Sequence, residues 1–330
     1  MGPRRAIEVS QAILSVVIPF HNEKQNLPEL YQRLCSTAAL MASDVCLEMV
    51  FVDDGSTDEG SAVLEQVAAG DERVVLLRLS RNWGSHPALK AGLKYAAGDA
   101  FAALSADLQD PPEMLPAFWQ AFRKGYQVVW GVRQSREDPF FKSLWARCFY
   151  ALFRRIALPS LPAGGVDTFL ISRKVRDELL AMPERCNLPY YSIIYLGYPA
   201  ALVPYRRQAR RAGRSKWTFA RRLRSAADAF VAFTPIPLRL ATVFGMITLM
   251  AAALWAAGCL SGLFAWSFST WVLFILGGVQ LLSLGILGEY IWRIAEQVRQ
   301  RPEYAVAQCA RLGRVAADKD GTHRALTSAA

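Results

Sequence analysis

Apolar and polar positions change their period repeatedly along the first half of the chain, and each change marks an element. Ile13-Leu-Ser-Val-Val-Ile18 is a short β-rich run closed by Pro19, and over 27–42 the residues Leu27, Leu30, Tyr31 and Leu34 recur at helical spacing. The same patterns predict strands at 46–52, 74–79, 101–104 and 128–132, with helices at 59–69, 87–97 and 111–124. Strands separated by helices argue for an α/β fold with a mainly parallel sheet covered on both faces. Residues 133–230 are less regular. A helix over 140–156 has a broad apolar face (Phe141, Leu144, Trp145, Phe149, Leu152, Phe153) interrupted by Lys142, Arg147, Arg154 and Arg155. Two placements suit it equally: in a membrane interface with its basic residues toward headgroups, or against a protein core. A second interfacial helix is expected over 225–234.

The period vanishes between Leu240 and Gly288, 49 residues without Asp, Glu, Lys or Arg, bracketed by Arg239 and Glu289. A membrane span takes about 20 apolar residues, so this run predicts two helices, 240–264 and 271–291, with a turn at 266–270. Trp266 and Trp271 stand where an aromatic belt falls. The competing arrangement is a hairpin buried in a soluble core, although core helices rarely extend so far without a charge. The first residues hold two arginines and a short apolar run that reads as a strand, not a signal peptide. The expected organisation is an N-terminal extension (1–12), an α/β domain (13–205), a polybasic loop and interfacial helix (206–238), two transmembrane helices (239–295) and a tail (296–330). The tail is expected to be partly disordered past 305.

Charge orients this arrangement. Residues 206–224 carry nine Lys and Arg and no acidic residue, Arg293, Arg299 and Arg301 follow the second span, and the intervening turn has no charge. The positive-inside rule then places both ends in the cytoplasm. The net charge of +10 calls for a partner, and no basic motif interleaved with aromatics points to nucleic acid. A polybasic stretch beside a span meets anionic lipid headgroups instead, at about 1 kcal/mol per side chain. The six cysteines lack metal-site spacing and read as reduced packing residues.

Polar clusters follow the first four predicted strands: Phe20-His-Asn-Glu23, Asp53-Asp-Gly-Ser56, Arg81-Asn-Trp-Gly84 and Asp107-Leu-Gln109. Parallel sheets bind ligands beyond the carboxyl ends of their strands. Singly, each cluster is a turn or a helix cap; jointly they predict one shared cleft. Asp110-Pro111-Pro112-Glu113 predicts a helix start, with Asp110 as N-cap, Pro111 in the first helical position and Glu113 completing a capping box. His21 is given no catalytic role, and His86 reads as a capping or solvent-facing residue.

PFHNE (19–23), VDDGSTD (52–58), RNWGSHPALKAG (81–92), SADLQDPPE (105–113), GVR (131–133) and GRSKW (213–217), in this order and with the apolar hairpin, resemble family 2 glycosyltransferases. More narrowly they are similar to the polyisoprenyl-phosphate glycosyltransferases, which include dolichol-phosphate mannose synthases and bactoprenol glucosyltransferases. The implied fold is a GT-A (Rossmann-like) domain followed by interfacial helices and a two-helix transmembrane hairpin.

The resemblance also implies roles. Pro19, Phe20, Glu23 and Asp53 would line a nucleoside pocket, and Asp54 would sit nearer the ribose and diphosphate. Arg210 and Lys216 would lie on a loop closing over the diphosphate, their alternative being the polybasic headgroup patch. The family pattern Asp-x-Asp-x-Gln holds Mg2+ or Mn2+; here it reads Ser105-Ala-Asp107-Leu-Gln109, which keeps Asp107 and Gln109 as ligands and leaves Ser105 only a metal-bound water to hold. Arg133 would bind the acceptor phosphate, with Lys142 as a second clamp whose alignment is ambiguous by one residue. Asp167 matches an acidic position sometimes called the catalytic base. A phosphate monoester, with a second pKa near 6, is already an anionic nucleophile at pH 7. Asp167 is therefore expected to orient that phosphate or its clamp, and Asp107, Arg133 and Asp167 form the expected catalytic set.

The function so implied is inverting transfer of one hexose, glucose from UDP-glucose by subgroup resemblance, to undecaprenyl phosphate at the cytoplasmic face of a bacterial inner membrane. The product would serve cell-envelope glycan or O-antigen modification, and a homo-oligomer, a tetramer in the family, would carry it out. The alternatives are an N-acetylated, amino or other hexose on the same lipid, a processive polysaccharide synthase, and a weakened homologue acting as a membrane scaffold. The synthase reading lacks its QxxRW motif and extra spans; the scaffold reading rests on Ser105.

Overall fold

The computed structural model describes residues 11–133, 155, 160–162, 166–182, 188–208, 236–261, 269–299 and 301–314. Within these, one sheet contains β1 (Ile13–Phe20), β2 (Cys46–Asp53), β3 (Val74–Leu79), β4 (Ala100–Ala103), β5 (Val128–Arg133), β6 (Thr168–Ser172), β7 (Ala200–Tyr205) and β8 (Val306–Arg311). Their spatial order is β7-β5-β6-β4-β1-β2-β3-β8. β1 pairs in parallel with β2 and β4, β2 with β3, and β5 with β7. β6 runs against β4 and β5, and β8 against β3. The carboxyl ends of β1 to β5 and β7 therefore share one edge, which the start of β6 joins.

Side-chain alternation fills both faces. Val16, Ile18, Met49 and Phe51 enter one core, while Val17, Val50 and Val52 enter the other. On the first face lie α1 (Leu27–Met41), α2 (Gly60–Val67) and α4 (Leu115–Arg123); α3 (Ser85–Tyr95), α5 (Arg173–Ala181) and α6 (Pro189–Tyr195) cover the second. α1 shows the logic: Leu27, Leu30, Leu34, Ala38 and Met41, three or four residues apart, are its buried apolar stripe. The chain moves from β1 out to β2 and β3, then returns to the other side of β1 as β4, where the Leu104 N–H donates to the Val17 carbonyl at 3.0 Å. This β1/β4 crevice is the topological switch point at which open α/β sheets bind ligands.

The elements expected from β1 to β5 are present, with helix 111–124 realised as a 3-10 turn (Pro112–Met114) leading into α4. β6, α5, α6 and β7 emerge from the span read as irregular. The tail departs furthest from expectation. Instead of standing apart from a domain ending at residue 205, it returns as β8 to complete the sheet. The Ser80 N–H donates to Ala305 O at 2.9 Å, Arg311 Nη2 pairs with Glu48 Oε1 at 2.8 Å, and Leu312 is buried in the first core. Just before β8, Glu303 receives the buried Lys90 ammonium at 2.8 and 3.0 Å.

The apolar run forms α7 (Ile236–Leu260) and α8 (Ser269–Val298), which touch each other. At 1.5 Å per residue they are about 37 and 45 Å long, more than the ~30 Å of a hydrocarbon core. Their spanning windows, Ala241–Gly258 and Ile275–Trp292, are only 12% and 0% buried, and Phe244, Met250, Leu254, Leu281 and Leu284 are exposed. That excludes a hairpin buried in this chain's own core and leaves two helices long and apolar enough to cross a membrane. The expected interfacial helices at 140–156 and 225–234 lie outside the described residues, except Arg155, as do residues 266–268 of the expected turn, whose Ser269 and Thr270 already belong to α8.

Candidate active site

The loop after β1 turns sharply at Asn22, which adopts φ 55°, a left-handed conformation unusual outside glycine. The turn is held from the neighbouring loop: Asn22 Oδ1 accepts from Thr57 N at 2.7 Å, Asn22 N donates to Ser56 Oγ at 3.0 Å, and His21 Nδ1 lies 2.9 Å from Asp54 O. Glu23 Oε2 accepts from Asn26 Nδ2 at 2.6 Å. Pro19 is half-buried beside this turn, whereas Phe20 is buried in the first core. Phe20, expected to line the nucleoside pocket, is therefore a core residue that is almost wholly closed to solvent.

Two buried carboxylates organise the loop after β2. Asp53 accepts from Ser56 N at 2.7 Å and from the Ser61 hydroxyl, with the Arg78 guanidinium 3.6 Å away. Asp54 reaches across to the loop after β3, accepting from Trp83 N at 2.7 Å and Gly84 N at 2.9 Å. Burial raises the Asp54 pKa, and these two N–H groups hold it back in part. The loops approach so closely that a Cβ on Gly55 (φ 66°) would sit 2.4 Å from the Arg81 carbonyl carbon and 2.5 Å from Asn82 N. Both aspartates thus fix the shape of the cleft in addition to any contact with a donor.

The loop after β4 is tighter still. Leu108, buried, takes φ 59°, which costs energy outside glycine and marks strain where such strain usually clusters. The Ser105 hydroxyl lies 2.8 Å from Asp107 Oδ1 and 2.7 Å from Asp110 Oδ2. Asp110 was expected to cap a helix and does not: the residue flanking the 3-10 turn is Pro111, without a side-chain cap. Asp110 points inward, 3% exposed, and accepts from Tyr205 OH at 2.6 Å. Burial pushes its pKa up to about 6, opposed by the Tyr205 and Ser105 hydroxyls and reinforced by the charges of Asp167 and Asp107. Glu113 is no capping-box partner either, because Arg33 takes it in a two-pronged pair at 2.8 and 2.6 Å. Gln109 Oε1 accepts from Arg207 Nη2 at 2.6 Å, and Gln109 O from Gln208 N at 3.0 Å, which docks the start of the polybasic segment onto this loop.

β5 and β6 bring Arg133 and Asp167 together. Arg133 Nη2 donates to Asp167 Oδ1 at 2.6 Å, and a second contact from Nε makes the pair two-pronged. Burial works against the Arg133 charge, but Asp167 outweighs it and the guanidinium pKa rises. Tyr205 and Tyr190 feel both Asp110 and Asp167, and burial raises both phenols. Tyr190 meets Phe169 edge-on at 5.4 Å and His86 at 6.4 Å. His86 is accordingly neither cap nor solvent residue: burial first, then the Lys90 charge, lowers its pKa to about 4.

Asp107, Asp110, Arg133 and Asp167 therefore form one electrostatic cluster on the switch-point edge. Arg210, Lys216 and Lys142 lie outside the described residues. Asp110, Tyr205, Arg207 and Tyr190 were missed from the sequence. Tyr205-Arg206-Arg207 does show the signature that marked the other loops, an apolar run ending in polar residues. Asp107 and Gln109 supply the oxygen donors that hard divalent cations take. Gln109 can serve although Arg207 holds it, because an amide oxygen has two lone pairs. One or two carboxylates plus substrate phosphates suffice for Mg2+, so the residues present fit the cation.

This sheet, with its acidic switch-point crevice and adjoining arginine–carboxylate pair, defines a GT-A-like transferase domain. The chain belongs to glycosyl transferase family 2, whose family model matches residues 15–180, and it is a glycosyltransferase. An uncharacterized glycosyltransferase of Synechocystis sp. is 33% identical over 89% of this chain and 94% of its own length. The undecaprenyl-phosphate 4-deoxy-4-formamido-L-arabinose transferase of Sodalis glossinidius is 35% identical, covering 90% and 93%. The bactoprenol glucosyl transferase of Shigella phage SfII is 34% identical, covering 89% and 97%.

Proposed function

We propose that this enzyme moves a single hexose from a nucleotide sugar to undecaprenyl phosphate, with UDP-glucose as the first donor and the catalytic domain at the cytoplasmic face of a bacterial inner membrane. The Arg133–Asp167 pair carries this reading. An arginine fork held by a carboxylate beside an acidic crevice is suited to a phosphate acceptor. The relatives named for undecaprenyl phosphate and bactoprenol support a lipid acceptor, and α7 and α8 are long and apolar enough to anchor the enzyme in the membrane that holds it.

In this mechanism the acceptor phosphate oxygen attacks the anomeric carbon from the face opposite the nucleoside diphosphate. One carbon–oxygen bond forms, the bond to the diphosphate breaks, and the configuration inverts. The nucleophile is already anionic, so no side chain has to remove a proton; positioning and charge stabilisation supply the rate. Arg133 orients the phosphate and Asp167 fixes Arg133. Asp107 and Gln109 would hold Mg2+ or Mn2+, which neutralises charge on the departing diphosphate. Glu23 and the loop tied by Asp54 would border the nucleoside, and the family resemblance assigns Arg210 and Lys216 to the charge of the diphosphate. Named relatives at 34% and 35% identity use different sugars, so the donor needs a direct assay. Purified protein is incubated with undecaprenyl phosphate, Mg2+ or Mn2+ and a panel of labelled UDP-sugars. A lipid-linked hexose is expected, strongest with UDP-glucose; folded protein that yields no lipid product from any donor would overturn the proposal.

A further inference from the structure

We propose that Tyr190 and His86 select the donor by hydrogen-bonding the hydroxyls of the transferred sugar, an uncharged hexose. This rests on the nucleotide-sugar reading above. The pair spans the space between the two sides of the reaction. His86 is the second residue of α3, two positions after Gly84, whose N–H holds Asp54 at 2.9 Å on the donor side. Tyr190 meets Phe169 edge-on at 5.4 Å, and Phe169 stands two residues past Asp167, which holds Arg133 on the acceptor side. The charges of Asp110 and Asp167 both reach the Tyr190 phenol, which puts it beside the carboxylate cluster. The two rings meet at 6.4 Å and 64°. A sugar joined to the donor diphosphate and in line with the acceptor phosphate has to lie between these sides. Both residues are half-buried, and among the described residues no hydrogen bond reaches the Tyr190 hydroxyl or the His86 ring nitrogens. Polar groups withdrawn from water ordinarily have partners, so a pair without them calls for a reason. Each can donate and accept. Burial and the Lys90 charge keep His86 a neutral imidazole at pH 7, with one donor and one acceptor nitrogen, and the phenol has both capacities in one oxygen. Together they offer hydrogen bonds without charge, which is the complement of a sugar's hydroxyls.

The test compares the donor with and without its sugar. The full chain in detergent, with Mg2+ present, is titrated calorimetrically with UDP and with UDP-glucose, and then assayed for transfer. Tyr190→Phe keeps the ring and removes only the hydroxyl, and His86→Phe keeps a ring without nitrogens. Each should raise the Kd of UDP-glucose about 3- to 10-fold, the scale of one lost hydrogen bond, while the Kd of UDP stays within about twofold of the parent. A role in packing alone would not separate the two ligands. Thermal unfolding checks that each variant folds, and Tyr190→Phe decides the matter if His86→Phe does not. Parental UDP-glucose affinity in Tyr190→Phe, or equal losses for UDP and UDP-glucose, would overturn the inference. Failure of the function proposal looks different: the variants would separate UDP-glucose from UDP as expected, yet no donor would yield a lipid-linked sugar.

Discussion

Arg133, the last residue of β5, and Asp167, the residue before β6, are locked face to face, Nη2 to Oδ1 at 2.6 Å, across the antiparallel junction of their strands. Among the described residues the carboxylate is held by this guanidinium in a two-pronged pair, the geometry of a residue that fixes the arginine. Arg133→Ala should lower kcat/KM for the lipid acceptor by about 10²-fold, the scale for breaking a partly buried charge pair at a binding site. Asp167→Asn should raise the acceptor KM and leave the acidic limb of the pH–rate profile, set by the acceptor phosphate, in place. Loss of that limb would show that Asp167 removes a proton after all.

Asp107, buried and accepting from Ser105 Oγ and Gln109 N, carries the charge proposed to hold the cation. Asp107→Ala should abolish transfer at every Mg2+ or Mn2+ concentration, while Asp107→Asn should retain a trace that rises with added metal. Near-parental turnover in Asp107→Ala would remove the cation from this site.

Gly55 is the point where the loops after β2 and β3 come closest. A methyl group there would meet the Arg81 and Asn82 backbone at 2.4 and 2.5 Å in a left-handed conformation. Gly55→Ala should cost roughly 1–3 kcal/mol and raise the donor KM, because the tie from Asp54 to Trp83 and Gly84 would have to open. Thermal unfolding and donor titration measure the two effects.

His86 makes stability depend on pH. Its folded pKa, about 4, lies below the 6.5 of a free histidine. The unfolded chain therefore binds the extra proton first. The His86 contribution is fully present above pH 6.5 and is lost as pH falls from 6.5 toward 4. Unfolding midpoints measured across that window should fall less steeply in His86→Gln than in the parent.

Lys90 and Glu303 join α3 to the segment after α8. Removing only the acid leaves a buried ammonium without its partner, so Glu303→Ala should destabilise the catalytic domain by about 1.5–3 kcal/mol. Lys90→Met with Glu303→Ala should recover part of that loss in a double-mutant cycle.

The elements from β1 to β5 were legible because each carries its own period, such as the Leu27, Leu30, Leu34 stripe of α1. β6 and β8 were not. Thr168-Phe-Leu-Ile-Ser172 is too short to distinguish a strand from a helix start, and Val306-Ala-Gln-Cys-Ala-Arg311 is a mostly exposed edge strand with little hydrophobic signature. At the site, Asp107 was singled out by its place after the fourth strand, whereas Arg133 and Asp167 were reached only through the family resemblance. Asp110 could not be placed there, since an aspartate before two prolines has the same sequence whether it caps a helix or turns inward to Tyr205. Only a partner 95 residues away separates the two.

β8 also sets an order of assembly. The strand that closes the β3 edge is made after both long apolar helices, so the sheet stays unfinished at the ribosome until they have been synthesised. Seven residues separate Val298 from Val306, a tether of at most about 28 Å when extended. A version shortened to free the catalytic domain from its apolar helices would lose β8 and Glu303 with them, leaving β3 as a bare edge open to pairing with other chains. Completion of the enzyme is in this way coupled to synthesis of its two long apolar helices.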